Sequence, residues 1–281
     1  MDDELLETKW NEYMGTLMTR RDGRSKNDIL YDVRRMSFSP KAVTRLLDPI
    51  DVMRASYWDR MRAGWMSDFL LAAAYLKQDY YVDEVKDKYE DVNGFYKYIP
   101  YLTWDFMKYV KRVYNKCGKS NMRFVDVGGG IGDKALIAKV LMKFRYATSL
   151  EYNVDTHKIA KDAIGTGYGI SVKRGDALKF NFGETSRPIF AYMYCPISHK
   201  DTLIQLYDRV AGTMPEGSVM YDIAQNCGYG DTFVEWANEI AGDELDMSPR
   251  MRIGKRWHEH VALGKIGGKP VLHILDDKRE V

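Results

Sequence analysis

Cysteine is scarce. The 281-residue chain has three, Cys117, Cys195 and Cys227. None forms a CxxC pair, which argues against a disulfide framework or a structural zinc site. Long apolar runs are also missing. No stretch reaches the ~18 residues that mark a membrane span. The start, Met1-Asp-Asp-Glu-Leu-Leu-Glu, is acidic and has no apolar signal core. Secretion is therefore not expected, and a reducing, cytoplasmic setting is the default. An excess of one charge is absent, with 42 basic against 40 acidic side chains. Residues 1–95 carry 15 basic and 18 acidic groups, which leaves 27 and 22 for the remainder. Neither part has the strongly basic character of a nucleic-acid binder. A local exception is 20–45, with eight basic residues against three acidic ones. It reads as a solvated loop and helix face, or as a grip on an anionic partner. Metal spacing is also wanting: of the five histidines only His258 and His260 share a face of an expected strand, and a solvated edge suits them better.

What is present fits a soluble globular protein. Hydrophobic residues make up 45% and charged ones 29%, a balance that excludes collagen, a disordered tail and a membrane bundle. The length allows one large domain or two small ones, with a core that needs no disulfides. Residues 1–95 read as a helical unit. Leu5-Leu6, Trp10, Tyr13-Met14 and Leu17-Met18 recur at helical spacing. Pro40 and Pro49 follow Ser39 and Asp48, the pattern of a helix start. The Met and aromatic stripe from Met53 to Leu70 is core-forming.

The pattern changes near residue 96. A helical stretch over 104–114 is followed by short apolar strands at 122–127, 146–150, 170–173, 189–194 and 218–223. Helical segments at 133–144, 154–164, 200–211 and 232–241 lie between or after them. Such alternation predicts a mostly parallel sheet with helices on both faces. Two last strands, 252–263 and 270–275, would form an antiparallel hairpin through the 264–269 turn.

The most informative stretch is Phe124-Val-Asp126-Val-Gly128-Gly129-Gly130-Ile-Gly132-Asp133-Lys134. A buried strand runs into a glycine turn and then a helix. Glycine allows positive φ and lets backbone N–H groups approach a ligand closely. A dinucleotide loop would need its third glycine at position 133, which is aspartate. A phosphate-binding P-loop would need Ser or Thr after Lys134, where Ala135 stands. The pattern that fits is Asp-x-Gly-x-Gly-x-Gly, from Asp126 to Gly132.

On these residues the chain resembles the class I S-adenosylmethionine-dependent methyltransferases over about residues 96–281. The resemblance implies an α/β, Rossmann-like, mostly parallel seven-stranded sheet with a C-terminal antiparallel hairpin. It implies S-adenosyl-L-methionine as cofactor, held by Asp126, Gly128, Gly129, Gly130 and Gly132. Glu151, closing the second strand, takes the place of the acid that grips the ribose hydroxyls, since a carboxylate accepts two hydrogen bonds from a diol. Gly175-Asp176-Ala177 looks like the adenine-contacting turn, with Asp176 accepting from the exocyclic amine and the Ala177 N–H donating to a ring nitrogen. Glu151 and Asp176 are also residue types of helix caps and turns. Upstream, Tyr98, Tyr101 and Thr103 are candidates for the methionine end of the cofactor, with ordinary packing as the alternative.

The fourth strand ends in Tyr192-Met193-Tyr194-Cys195-Pro196-Ile197, where the family keeps its acceptor-facing motif. The base-amine form, Asn/Asp/Ser-Pro-Pro-aromatic, is not there. Cys195 precedes Pro196, the reverse of the cytosine C5 order, so a structural thiol fits it better than a nucleophile. Similar aromatic-x-Pro endings occur in relatives that methylate protein lysines and small molecules. Tyr194 and Pro196 are therefore the catalytic candidates, with Tyr194 able to stack on a cationic amine. The expected partner is a methyl acceptor, a protein or small molecule, and no membrane. A nucleic-acid acceptor gripped by 20–45, or a non-catalytic binding subunit of the same fold, are the rivals. The 1–95 unit would cover or select the acceptor.

Overall fold

The computed structural model describes residues 103–117, 121–223, 232–241, 251–253, 256–258, 261–266 and 269–274. The expected helical unit at 1–95, the basic 20–45 segment, Tyr98 and Tyr101 lie outside the described residues. Helix α1, Thr103–Cys117, buries Phe106, Met107, Val110 and Val113 along one stripe. Then strands and helices alternate: β1 Arg123–Val127, α2 Asp133–Val140, β2 Tyr146–Glu151, α3 Val154–Ile164 and β3 Ile170–Arg174. After a longer connection come β4 Ile189–Met193, α4 Lys200–Thr213, β5 Val219–Asp222 and α5 Thr232–Ala241. The chain continues with β6 Met251–Ile253, β7 Arg256–His258, β8 Val261–Ile266 and β9 Lys269–Ile274.

Strands β3-β2-β1-β4-β5 lie side by side in that order, and all four pairings are parallel. Strand β8 pairs antiparallel with β5, and β9 with β8. All five residues of β4 are buried, because helices cover both faces of a parallel sheet. Alternation along the strands builds two cores. On one face Phe124 and Tyr192 stack at 5.9 Å, and Phe106 of α1 meets Tyr192 edge-on at 5.0 Å. On the other, Val125, Ala191, Met193 and Met220 pack with Leu206, Tyr207 and Val210 of α4 and Phe233 and Trp236 of α5.

Four differences from the sequence reading have local causes. Helix α2 stops at Val140 rather than 144, and Lys143 soon after takes φ 61°. Strand β4 stops at Met193, because Cys195 adopts φ 47° and turns the chain out of the sheet. The single strand expected over 252–263 is broken: β6 and β7 pair with each other, and only β8 joins the main sheet. Glycine at 254, between β6 and β7, is the sequence mark of that break. The turn expected at 264–269 is shorter, since Gly264 to Ile266 are still strand and β9 starts at Lys269.

Candidate functional site

The carboxyl ends of β1, β2, β3 and β4 gather the glycine loop, Glu151, the Gly175-Asp176 turn and Pro196 at one edge of the sheet. Open α/β sheets bind ligands there. The glycine loop is fixed from below by Leu150, whose carbonyl accepts from the Gly128 and Gly129 N–H groups at 3.0 and 2.9 Å. Gly128, Gly130 and Gly132 all have positive φ. At Gly128 a Cβ would lie 3.0 Å from the Pro196 Cβ, so the first loop rests directly on the acceptor-facing motif. At Gly129 a Cβ would collide with the Ser149 hydroxyl. At Gly132, the N-cap of α2, a Cβ would stand 2.5 Å from Ile164 of α3, so glycine there lets two helices pack closely.

Glu151 points at the loop. One carboxylate oxygen accepts from the Gly130 N–H at 2.7 Å, the other from the Asn153 N–H at 2.7 Å. Its backbone carbonyl accepts from the Gly175 N–H at 3.0 Å. One residue thus ties together the ends of β1, β2 and β3. With the Tyr152 N–H also bonding the carboxylate, three backbone donors hold it, and acceptor capacity is left for a ligand. Burial raises the Glu151 pKa, and the N–H donors of Asn153 and Gly130 oppose the rise.

Asp126 is buried beneath the loop, and burial pushes its pKa well up. The Asp133 charge adds to the shift, while Lys134 and the Ala135 N–H at the start of α2 work against it. Its Oδ2 and the Ser149 Oγ, on residues paired across β1 and β2, are buried with no hydrogen-bond partner among the described residues. Lys134 is bound to Asp133 at 2.6 Å. Three carboxyls therefore face one ammonium around the loop, a setting suited to a cationic ligand.

The remaining candidates are placed more plainly. Asp176 accepts from the Leu178 N–H at 3.0 Å and meets Lys179 at 3.4 Å, so it shapes its own turn. Ala177 packs on the hydrophobic core. Thr103 is the first residue of α1. Tyr194 is half-buried, just past the end of β4, and no longer in strand alternation with Tyr192, which is core. Cys195 is disulfide-bonded, which corrects the expectation of a structural thiol. Three cysteines far apart in sequence give no spacing from which such a bond could be read.

Sequence reasoning missed Asp222. It closes β5 beside Met193, is buried, and receives the Tyr207 hydroxyl of α4 on Oδ2. Its Oδ1 has no partner among the described residues. Burial lifts its pKa to about 7, against the Tyr207 hydroxyl and the Ile223 N–H. The available signal was an acid ending an apolar strand, the same one that marked Glu151.

Parallel strands in the order 3-2-1-4-5, helices on both faces and a glycine turn after the first strand make a Rossmann-like α/β sheet. No family model matches the chain, and no curated protein matches it. Solved structures do. A precorrin-6y C5,15-methyltransferase from Geobacter metallireducens has 12% identity and a TM-score of 0.40, over 54% of this chain and 77% of that one. An S-adenosylmethionine-dependent methyltransferase from Clostridium acetobutylicum has 11% identity and a TM-score of 0.36, over 60% and 70%. The [4+2]-cyclase SpnF has 15% identity and a TM-score of 0.35, over 46% and 49%. Two further matching chains are covered over about half their length, 46% and 49%. The likeness is one of fold, and chemistry has to be argued from the site.

Proposed function

We propose that the chain is an S-adenosyl-L-methionine-dependent methyltransferase of the class I, seven-stranded type. Its acceptor is an amine or another nucleophile on a protein side chain or small molecule. The supporting observation is Glu151, whose carboxylate bonds the Gly130 N–H while its carbonyl holds Gly175. The turns that would meet the ribose, the methionine and the adenine are thereby joined at one acid.

The residues present fit that cofactor. Gly128 and Gly129 let the loop close onto Pro196 and Ser149, where any Cβ would meet protein atoms, and so keep its backbone at the strand ends. The unpartnered Asp126 oxygen and the surrounding carboxyls suit a molecule carrying a sulfonium and an ammonium. Glu151 would take the ribose hydroxyls, and Asp126 with the loop N–H groups the amino-acid half. When bound, the cofactor supplies an electrophilic methyl on a good leaving group. The chain's part is positioning and exclusion of water. Pro196, pressed on Gly128, sets the floor on which an acceptor approaches, and Tyr194 lines its path and stacks on a cationic nitrogen. A neutral nitrogen needs no base, whereas a protonated amine must lose its proton before attack.

Isothermal titration with S-adenosylmethionine tests the reading. Binding is expected, and heat indistinguishable from dilution even at ~1 mM ligand, where a site this built would fill, refutes it. Radiolabelled cofactor and a cell extract, separated into protein, nucleic-acid and small-molecule fractions, then assign the acceptor. Label in the nucleic-acid fraction, lost steeply with salt, would favour the second reading, which rests on the eight-to-three basic excess at 20–45.

A further inference from the structure

At the opposite, amino end of the sheet, two arginines lie over one aromatic ring and a third opens the neighbouring strand. Arg123 opens β1, and its Cα partner on β2 is Tyr146. The Arg187 guanidinium lies 3.8 Å from the Tyr146 ring centre, and that of Arg145 lies 5.4 Å away. Stacking holds Arg187 against the ring and leaves its N–H edge unspent. Arg123 is the unusual member. Its Nε and Nη2 are both buried, and neither has an acceptor among the described residues. The nearby acid is Glu184, which already binds Lys173 at 2.6 Å and stands half-exposed. Burial and Arg187 both pull the Arg123 pKa down, with Glu184 opposing.

A buried guanidinium without acceptors is costly, and folded proteins normally give each such donor a partner. Here the like charge of Arg187 nearby adds to the cost. Arg123 holds two unused, buried N–H groups on Nε and Nη2, the pair that grips a carboxylate or phosphate through two oxygens. The missing component is an oxyanion. We propose that Arg123 and Arg187, flanking Tyr146, form a binding site for a phosphate group, free or esterified. Five residues of extended chain separate Arg123 from Gly128, about 16 Å, so the site lies at the far end of β1 from the cofactor cleft and does not depend on the methyltransferase reading.

The test uses the full chain at low chloride. Inorganic phosphate, glycerol 3-phosphate and dimethyl phosphate are titrated separately while the arginine Nε–Hε resonances are followed by NMR. The Arg123 and Arg187 resonances are expected to shift and saturate with at least one probe. Which probe binds tightest separates free phosphate from a monoester or a diester. Arg123→Gln should weaken binding by roughly tenfold or more, and Arg187→Gln, which leaves the strand intact, should weaken it too. Far-UV circular dichroism and urea unfolding of both variants report whether each is folded. Absence of saturable shifts in the unaltered chain with all three probes overturns the proposal. So does undiminished phosphate affinity in Arg187→Gln.

Discussion

Asp222 makes the stability of this protein fall as pH rises. In the unfolded chain its carboxyl ionises near its ordinary value of 3.8, whereas in the fold burial holds the pKa at about 7. Between those values the unfolded state has released the proton and the native state has kept it. Stability then drops by about 1.4 kcal/mol per pH unit. Over the interval from 3.8 to about 7 the loss attributable to this group is about 4 kcal/mol. Below pH ~4 both states are protonated, and above the native pKa both are ionised, so the change is confined to that window. Asp222→Asn abolishes the titration and keeps an oxygen for the Tyr207 hydroxyl. Urea unfolding of the parent and Asp222→Asn chains across pH 4 to 8 measures it. The two curves should lie close at the acid end. At the alkaline end the variant should be the more stable, by an amount on the order of 1–2 M in urea midpoint. Glu151 and Asp126, whose pKa values burial also raises, add slopes of the same sign. Those contributions are common to both chains and cancel in the difference. A constant gap between the curves across the range would refute the reasoning.

Other expectations concern the glycine loop and the edge above it. Gly130→Arg should abolish S-adenosylmethionine binding in calorimetry by filling the loop; tight binding by that variant would contradict the cofactor placement. Glu151→Gln should weaken cofactor affinity by about tenfold to a hundredfold, and an unchanged affinity would remove Glu151 from the site. Tyr194→Phe should leave cofactor affinity intact and lower turnover in the labelled-cofactor assay. Gly132→Ala should cost about 2–4 kcal/mol in urea unfolding, since the residue has φ 82° and its Cβ would press on Ile164.

The order of strands and helices in the second part was legible because buried parallel strands are short apolar runs and surface helices repeat every three to four residues. Helix α3 starts at Val154 because Asn153 caps it, accepting from the Asp155 and Thr156 N–H groups. The glycine turn was equally plain, since positive φ at Gly128, Gly130 and Gly132 is a local demand. Where backbone dihedrals broke a pattern, at Lys143 and Cys195, apolar periodicity ran past the true end.

Local chemistry, then, determined the elements, the turn and the acids at the strand ends. It did not determine which of those residues meet. That Gly128 rests on Pro196 and that Glu151 reaches back to Gly130 are outcomes of strand register and of turns closing on one another. The pairing of Asp222 with Tyr207 and the stacking of Arg187 on Tyr146 belong to the same class. Each depends on contacts between segments far apart in the chain, and burial, which sets their charge states, exists only once those segments have packed.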